Sequence, residues 1–481
     1  MSDLKRTDKK FYAIVTVTLL IMLGFGCLPP FGEITPQGMK LLGVFIGVIF
    51  AWCMGETVWS SVLALVIATI FGFGTMNSNF ASAYGNGNIA IIMVACVFCF
   101  AVESCGLLKE IAKWIVGQKW AQKSPWSLIF AFYLAALVVG AIATNIVPPI
   151  VLLWALYYEV AQEIGAKPYD TFSAIILLGI GVVGYVGMCM VPYNIMTVIV
   201  IGAAEAFDTT FVLPVGSYMF LNLLIAVLFI PALIFVLRLL VGSKLGIVIV
   251  QKDSYKIQLS KPMKWCLAYL LFLIICLIVP NFLPAGNWFK ELFGTTLGIV
   301  GTLMLITALM MLTRIDDEPL LDIAEGIKNI PWSLVLLVST ALCISGYLTA
   351  DGIGIVPTIV SYLNPLMAGK SSLVIMLLFI LIGLIMTNFI NDVVTALVLY
   401  PIGAQFILDA GGSVLLLFTL LFAQVTVQGC FMPSGSIAGA MFHGNSSWMK
   451  SKTVFKWVAL MEAVLFVIII LVTLLAHLLG Y

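Results

Sequence analysis

The sequence is poor in charged residues, which make up only 9% of its 481 positions, while 62% are hydrophobic. Soluble globular chains carry about 25% charged residues, so this composition excludes an ordinary soluble domain. Apolar runs recur along the whole chain, and many reach the roughly 20 residues needed to cross about 30 Å of hydrocarbon. The chain is therefore predicted to be an all-α polytopic membrane protein.

Residues that serve metal, redox or nucleotide chemistry are also scarce. The two histidines, His443 and His477, are too few and too far apart in sequence to indicate a histidine metal site. Cys96 and Cys99 form a C-x-x-C pair, but they lie in an apolar run where cysteine acts as a small hydrophobic residue. No G-x-x-x-x-G-K-S/T sequence is present, so nothing indicates ATP hydrolysis. We expect no cofactor and no nucleic-acid partner.

Hydropathy divides the chain into spans and two unusual segments. Eleven stretches are predicted to cross the membrane: 11–30, 38–56, 58–73, 88–107, 171–201, 214–240, 265–283, 295–313, 331–350, 412–441 and 454–478. Two further segments, 126–163 and 371–410, each consist of two apolar arms around a polar break. Irregular backbone at membrane depth is tolerated where protein or a water-filled cavity surrounds it. Each of these segments is predicted to be a re-entrant helical hairpin.

The distribution of basic residues predicts the orientation. With the N-terminus in the cytoplasm, twenty of the 23 Lys and Arg residues fall on the cytoplasmic side, and only Lys40, Lys290 and Lys370 lie outside. The first apolar run follows a basic start but has no good cleavage site, so it is predicted to be a span rather than a signal peptide. We expect a multi-pass protein of the plasma (inner) membrane with its C-terminus outside.

A hairpin followed by a broken helix occurs twice. The first hairpin turns at 143–149 and precedes 171–201, a helix interrupted by glycines and Pro192. The second turns near Asp392 and precedes 412–441, which glycines and Pro433 interrupt. The hairpins start from opposite sides, which predicts two inverted repeats with a transport site near the midplane. A broken helix frees carbonyl groups for a cation and N–H groups for an anion.

This order also predicts a division into functional parts. Residues 1–107 would form N-terminal scaffold spans, and 108–241 the core of the first repeat. A cytoplasmic loop at 242–264 would lead to scaffold spans at 265–350 and to the core of the second repeat at 351–481.

The polar tips carry motifs that are similar to those of a known family. Thr387 is followed by Asn391-Asp392-Val393, and the first tip has Thr144-Asn145-Ile146. The breaks contain Val191-Pro192-Tyr193-Asn194 and the loop 433–439. In these motifs the sequence resembles the divalent anion:sodium symporter family, which carries di- and tricarboxylates or sulfate. The resemblance covers most of the chain.

The resemblance implies a set of ligand-binding residues. In that family each tip binds one sodium ion, and both tips hold the carboxylates of the substrate. Carried over by position, the first cation site would comprise Thr144, Asn145 and the Met190 carbonyl. The second would comprise Thr387, Asn391, Asp392 and the Gly435 carbonyl. Substrate would contact Thr144, Asn145, Pro192, Asn391, Asp392 and Ser436. The family works as a dimer, so the resemblance also implies a homodimer.

Asp392 stands where the family motif has asparagine. A charged side chain at the bilayer centre costs about 2.5–3.5 kcal/mol, and such residues are usually functional. Asn391 or Asp392 would also suit the N-cap of the following helix arm, as Asn145 would suit the arm that begins near Pro148. An ionised Asp392 would repel a dianionic substrate unless a cation lies beside it. We therefore expect either cation binding or protonation of Asp392 during the cycle.

Other polar features allow a structural interpretation. Glu103 and Glu462, near or within spans, could be linked to substrate, but interfacial or helix-paired positions are favoured. The glycines at 179–187 could permit close helix packing, but together with Pro192 and Asn194 they favour an unwound segment.

The sequence thus predicts a secondary active transporter of a small anionic metabolite, coupled to Na⁺ or H⁺ or working by exchange, and the family resemblance implies a di- or tricarboxylate as the substrate. One alternative is a Na⁺/H⁺-type antiporter that uses Asp392. A membrane-embedded enzyme is less well supported, because no second carboxylate, histidine pair or nucleophile–base set accompanies Asp392.

Overall fold

The structure is a computed structural model that describes residues 8–208, 210–242, 253–348, 350, 352–390, 392–411 and 415–478. Almost all regular structure in these residues is helical. The strands described are two-residue segments, β1 (Arg314–Ile315) and β2 (Glu318–Pro319), which pair antiparallel. The all-α fold class predicted from composition is confirmed.

The helices follow one another with short connections. Those of the first half are α1 (Asp8–Gly24), α2 (Pro36–Cys53), α3 (Val58–Ile70), α4 (Met76–Tyr84), α5 (Gly87–Ser104), α6 (Leu107–Val116), α7 (Pro125–Ile142), α8 (Val147–Ile164), α9 (Thr171–Met188), α10 (Ile195–Phe207) and α11 (Val215–Val241). Those of the second half are α12 (Lys261–Ile278), α13 (Gly298–Leu312), α14 (Ile323–Lys328), α15 (Trp332–Leu348), α16 (Ile355–Met367), α17 (Ser372–Phe389), α18 (Asp392–Asp409), α19 (Leu415–Thr426), α20 (Ile437–Gly444) and α21 (Ser451–Leu478). Short 3-10 turns and one π-helix, Lys290–Thr296, complete the helical structure of the described chain.

Both predicted hairpins and both broken helices are present. Arms α7 and α8 meet at a turn over 143–146, and arm α17 ends just before the extended Ile390 while arm α18 begins at Asp392, each arm being 18 residues long. Helices α9 and α10 are separated by 189–194, and α19 and α20 by 427–436. The first three residues of the predicted segment 412–441 lie outside the described residues. The order hairpin, then broken helix, therefore occurs in both halves, as the repeat predicted.

The individual spans differ from the prediction in places. Ten described helices are long and apolar enough to cross a membrane, or eleven if the bent pair Lys290–Thr296 and Gly298–Leu312 counts as one span. This set includes hairpin arms, whereas the predicted span 58–73 forms only the 13-residue α3. Such a helix is about 20 Å long, short of a 30 Å hydrocarbon core. It ends because Gly72 and Gly74 adopt positive φ.

The predicted span 295–313 is also not a straight helix. The π-helix and α13 meet at an angle of 108°. Gly298, at the junction, has φ +57°, a conformation that glycine adopts without a steric penalty. Only the 15 residues of α13 continue as a regular helix from this corner.

Helix α9 forms the centre of the first repeat and is buried along nearly its whole length. It packs against α7 so closely that a Cβ on Gly187 would overlap the Leu137 carbonyl group, and a Cβ on Gly140 of α7 would overlap the Gly184 carbonyl group. The expectation that the glycines at 179–187 belong to an unwound segment is therefore wrong. They lie in a helix and permit close packing, and the helix is interrupted only after Met188.

The connection between the two halves is bound to α6. The Tyr255 hydroxyl donates a hydrogen bond to Glu110 Oε1 at 2.9 Å, and the Gln258 N–H donates to the same oxygen at 2.6 Å. The Tyr255 N–H donates to the Gly117 carbonyl at 3.0 Å. These contacts hold residues 253–258 against the helix that precedes the first hairpin.

Candidate functional site

A cavity of about 240 Å³ lies where the two hairpin tips meet. Thr144 and Asn145 line it from the first tip, and Asp392 and Val393 line it from the second. Polar groups also come from outside the hairpins, as Thr57, Tyr185 and Ser333. The fold thus brings predicted site residues of both halves to one place, as hairpins that enter from opposite faces would do.

Local hydrogen bonds shape the first tip. Ala143 is extended and ends α7, and Asn145 Oδ1 accepts the Val147 N–H at 3.0 Å. Asn145 therefore acts at the start of α8 as predicted and lines the cavity as well. The buried Thr144 hydroxyl lies 3.7 Å from Cys96 Sγ of α5. Asn145 thus combines a structural bond with a position in the cavity.

The first break supplies backbone groups, but its predicted ligands lie away from the cavity. Met190 and Pro192 belong to the break and do not line the cavity described above. The Cys189 carbonyl, freed by the end of α9, accepts a hydrogen bond from the Tyr218 hydroxyl at 2.6 Å. Asn194 Oδ1 accepts the Met196 N–H at 2.9 Å and so caps α10. This break is therefore held partly by Tyr218 of α11 and partly by its own Asn194, which caps α10.

The second tip places a carboxylate in the cavity. Ile390 is extended, and Asp392 begins α18, where its Oδ1 accepts the Val393 N–H at 2.9 Å. Asp392 is only 8% exposed. Asn391, predicted to bind both cation and substrate, lies outside the described residues. Asp392 thus combines a bond at the helix start with a position on the wall of the cavity.

Carbonyl groups converge behind the second tip. A Cβ on Gly435 would lie 2.6 Å from the carbonyl oxygens of both Thr387 and Gly429, so only glycine permits this approach. The Thr387 hydroxyl donates to the Thr426 carbonyl at 2.6 Å. The predicted partners Thr387 and Gly435 are therefore neighbours. Carbonyl oxygens freed by a helix break are groups that coordinate Na⁺ in transporters built with discontinuous helices.

Serine residues of the second loop have local roles. Ser436 is buried, and its Oγ accepts the Gly439 N–H at 3.1 Å, which caps α20. The next residue, Ile437, lines the cavity, whereas Ser436 does not. The Ser436 oxygen thus accepts a hydrogen bond from its own helix, and the contact of this residue with substrate stays a prediction.

Two glutamates have closer ties to the tips than the sequence indicated. Glu103 lines a smaller cavity of about 140 Å³ together with Thr144 and Asn145. Glu462 of α21 accepts a hydrogen bond from Asn388 Nδ2 at 2.8 Å. Each is an acidic residue in an apolar stretch, which is the signal that could have placed them at the site.

The cavity contains no basic side chain among the described residues that line it. Asp392 supplies its only carboxylate, and the hydroxyl and amide groups of Thr144 and Asn145 are neutral. An anion that enters must therefore be compensated by backbone dipoles or by a cation that binds with it.

Comparison with known proteins agrees with this architecture. The YdaH transporter of Alcanivorax borkumensis has a TM-score of 0.55 at 14% identity, with 85% of this chain and 89% of that chain covered. MtrF of Neisseria gonorrhoeae, described within a class of antimetabolite efflux pumps, has a TM-score of 0.55 at 11% identity, with 96% and 97% covered. These likenesses concern the fold alone. Among individually curated proteins, none matches this sequence.

The sequence itself matches a protein family over most of its length. The match extends over residues 45–425 and is to the family described as citrate transporter, CitMHS. It includes both hairpins and agrees with the resemblance drawn from the tip motifs. The protein is therefore a membrane transporter of small anionic metabolites and not an enzyme. The chain belongs to the citrate transporter family.

Proposed function

We propose that this protein moves a di- or tricarboxylate, with citrate as the first candidate, together with a coupling cation. The observation that carries the proposal is the cavity at the hairpin tips, where the described lining residues combine Asp392 with neutral polar groups and include no basic side chain. A carboxylate substrate cannot be neutralised there by a side chain. A cation beside Asp392, either Na⁺ or a proton, would remove the repulsion between this carboxylate and the substrate.

The cation would bind at the second tip and substrate between the two tips. Thr387 and Gly435 lie close together through their backbones, and Asp392 lies on the cavity side of the same tip. The first tip offers Thr144 and Asn145 to the substrate or to a second cation. Met190 and Pro192 would have to approach the cavity in another state of the cycle to take the roles that the resemblance implies.

A Na⁺/H⁺-type antiporter is a second candidate, because a buried carboxylate at a hairpin tip is also what such an exchanger needs. In that case Asp392 would bind Na⁺ and H⁺ in turn, and no organic anion would move. The description of the family favours the carboxylate.

The two candidates are separated by transport assays on reconstituted protein. Uptake of labelled citrate, succinate and sulfate into liposomes would be measured under separate Na⁺ and H⁺ gradients. We expect carboxylate uptake that depends on one of these gradients. Na⁺-driven proton movement with no anion flux would select the antiporter. Uptake that is independent of both gradients but requires carboxylate inside the liposomes would indicate exchange.

Membrane orientation and assembly are part of the same proposal. The basic residues favour a plasma-membrane protein with a cytoplasmic N-terminus, and the family resemblance favours a homodimer. Labelling of single cysteines introduced at Lys290 and Lys328 from either side of the membrane would test the orientation. Light scattering of the detergent-solubilised protein would test the dimer.

A further inference from the structure

Glu462 lies in the apolar helix α21 and faces the second hairpin. Its side chain is only 6% exposed. The ion pairs found between described residues do not include it, so neither lysine nor arginine neutralises it there. A buried carboxylate without a cationic partner is costly, and ionisable residues inside membrane spans usually serve the transport mechanism.

The two oxygens of Glu462 contact two different elements. Oε2 accepts a hydrogen bond from Asn388 Nδ2 at the end of α17, at 2.8 Å. Oε1 accepts the backbone N–H of Cys430, in the break between α19 and α20, at 3.3 Å. Asn388 completes the connection, because its Oδ1 accepts the Phe431 N–H at 2.7 Å. The last helix, the hairpin end and the break therefore share one buried polar cluster.

This cluster adjoins the converging carbonyl groups. Asn388 follows Thr387, whose carbonyl oxygen would lie within 2.6 Å of a Cβ on either Gly429 or Gly435. Cys430 follows Gly429 directly. The N–H groups of Cys430 and Phe431 are donors that a continuous helix would have satisfied. Here the Phe431 N–H donates to Asn388, and the Cys430 N–H is shared between Glu462 and the Gln428 carbonyl, the latter at 2.5 Å. The cluster thus stabilises the non-helical backbone between α19 and α20.

We propose that Glu462 is a positioning residue of the second cation site. It holds Asn388 and the backbone at 430–431 so that the carbonyl groups of Thr387 and Gly435 remain together. This inference rests on the proposed function, in which a cation binds at that tip. Both partners of Glu462 are N–H donors, and a carboxylate can accept from both. A glutamine at 462 would direct its NH₂ group toward one of these donors.

The test is Glu462→Gln in the full-length protein, reconstituted in liposomes. Citrate uptake would be measured while Na⁺ is varied at fixed pH, and while pH is varied at fixed Na⁺. We expect the concentration of the coupling cation at half-maximal uptake to rise at least about tenfold, since a hydrogen bond to a charged group is lost. Maximal uptake per transporter at saturating cation should stay within about twofold, because the substrate-facing residues are unchanged.

A donor–acceptor exchange provides the rescue. Asn388→Asp alone would place a second carboxylate against Glu462. It should raise the cation concentration at half-maximal uptake more than Glu462→Gln does. Adding Glu462→Gln to Asn388→Asp lets the new amide donate to the new carboxylate. The cation concentration at half-maximal uptake should therefore be at least about threefold lower in the double variant than in Asn388→Asp. Glu291→Gln, at an exposed glutamate, is the matched control and should behave as wild type.

Each outcome decides the proposal. Unchanged cation dependence in Glu462→Gln, or an equal change in Glu291→Gln, would overturn it. If Glu462→Gln alone does not fold, a double variant no better than Asn388→Asp would overturn it as well. Failure of the proposed function is a separate result: wild-type protein would then take up none of the three anions. In that case Na⁺-dependent thermal stabilisation of wild type and Glu462→Gln would still test the positioning role, and equal stabilisation would contradict it.

Discussion

Asn145 of the first hairpin and Asp392 of the second line the same cavity, although the described chain between them contains the ten α-helices α8 to α17, from both halves. Each side chain also accepts a hydrogen bond from an N–H at the start of its helix arm. Both tips therefore have a structural and a chemical task, and the two tasks can be separated by substitution.

Replacing Asp392 by asparagine should uncouple transport from the cation. The amide retains an acceptor for the Val393 N–H, but the substitution removes the only carboxylate among the described residues that line the cavity. We expect cation-driven citrate accumulation to fall at least about tenfold, since one charge interaction of about 1.4 kcal/mol or more is lost. Exchange of internal for external citrate should persist. Asp409→Asn, at the exposed end of the same helix, should leave both activities intact. Unchanged accumulation in Asp392→Asn would rule out the coupling role.

Substitution of Asn145 by aspartate should separate its structural role from its role in the cavity. Asn145→Asp keeps an oxygen that accepts the Val147 N–H, so the helix start and the thermal stability should be preserved. The new negative charge faces the cavity and should raise the KM for citrate by about tenfold or more, for which uptake kinetics are the measurement. Asn145→Ala should instead lower stability by about 1 kcal/mol, because the hydrogen bond from the Val147 N–H at the start of α8 is lost. Normal uptake by Asn145→Asp would restrict this residue to capping.

Gly435 should not accept a side chain. A Cβ there would lie 2.6 Å from the carbonyl oxygens of Thr387 and Gly429, so Gly435→Ala must push the hairpin and the break apart. The cost of such overpacking is about 1–3 kcal/mol, which should appear as a lower melting temperature together with weaker cation dependence of uptake. Gly444→Ala is the control, because nothing lies within 4 Å of its Cβ position. Equal melting temperatures for the two variants would contradict the close approach.

The segment that joins the two halves should loosen at high pH. The hydrogen bond from Tyr255 to Glu110 raises the pKa of Tyr255, so the hydroxyl stays protonated beyond the usual range of tyrosine. The stabilising contact is complete below the ordinary pKa of about 10 and is lost as pH rises through the raised value. Hydrogen exchange of residues 253–258, corrected for the intrinsic rate, should therefore increase only as the pH rises above the ordinary tyrosine pKa and through the raised pKa of Tyr255.

A substitution tests the same contact at neutral pH. Tyr255→Phe should raise the exchange of residues 253–258, because Glu110 loses a donor. Tyr362→Phe, at an exposed tyrosine, serves as the control. Unaltered exchange in Tyr255→Phe would show that the remaining backbone contacts of the segment suffice.

The hairpins and the breaks were predictable because their signals are local. Apolar arms on either side of a polar tip, with Pro148 and Pro149 at the start of one arm, specify a turn between two helices. Pro192 and Asn194 mark the first break for the same reason, since proline interrupts a helix and asparagine caps the next one. The bend at Gly298 was not predictable, because a glycine with positive φ looks in sequence like any other glycine.

The glycines of α9 show a second limit. Glycine permits an unwound segment and also permits close helix packing, and the sequence does not distinguish them. The neighbouring helix determines which of the two occurs. At Gly187, α7 approaches so closely that no Cβ fits, and α9 remains a helix there.

Sequence alone determined the class of protein, the two hairpins, the two breaks and the polar tips that contain Thr144, Asn145 and Asp392. Hydropathy and the backbone chemistry of proline act within a few residues, so no partner is needed to see them. Tertiary structure decided that the two tips share a cavity and that Glu462 pairs with Asn388, 74 residues away. A buried polar group must find its partner among the elements that pack against it, and only the folded chain determines which elements those are.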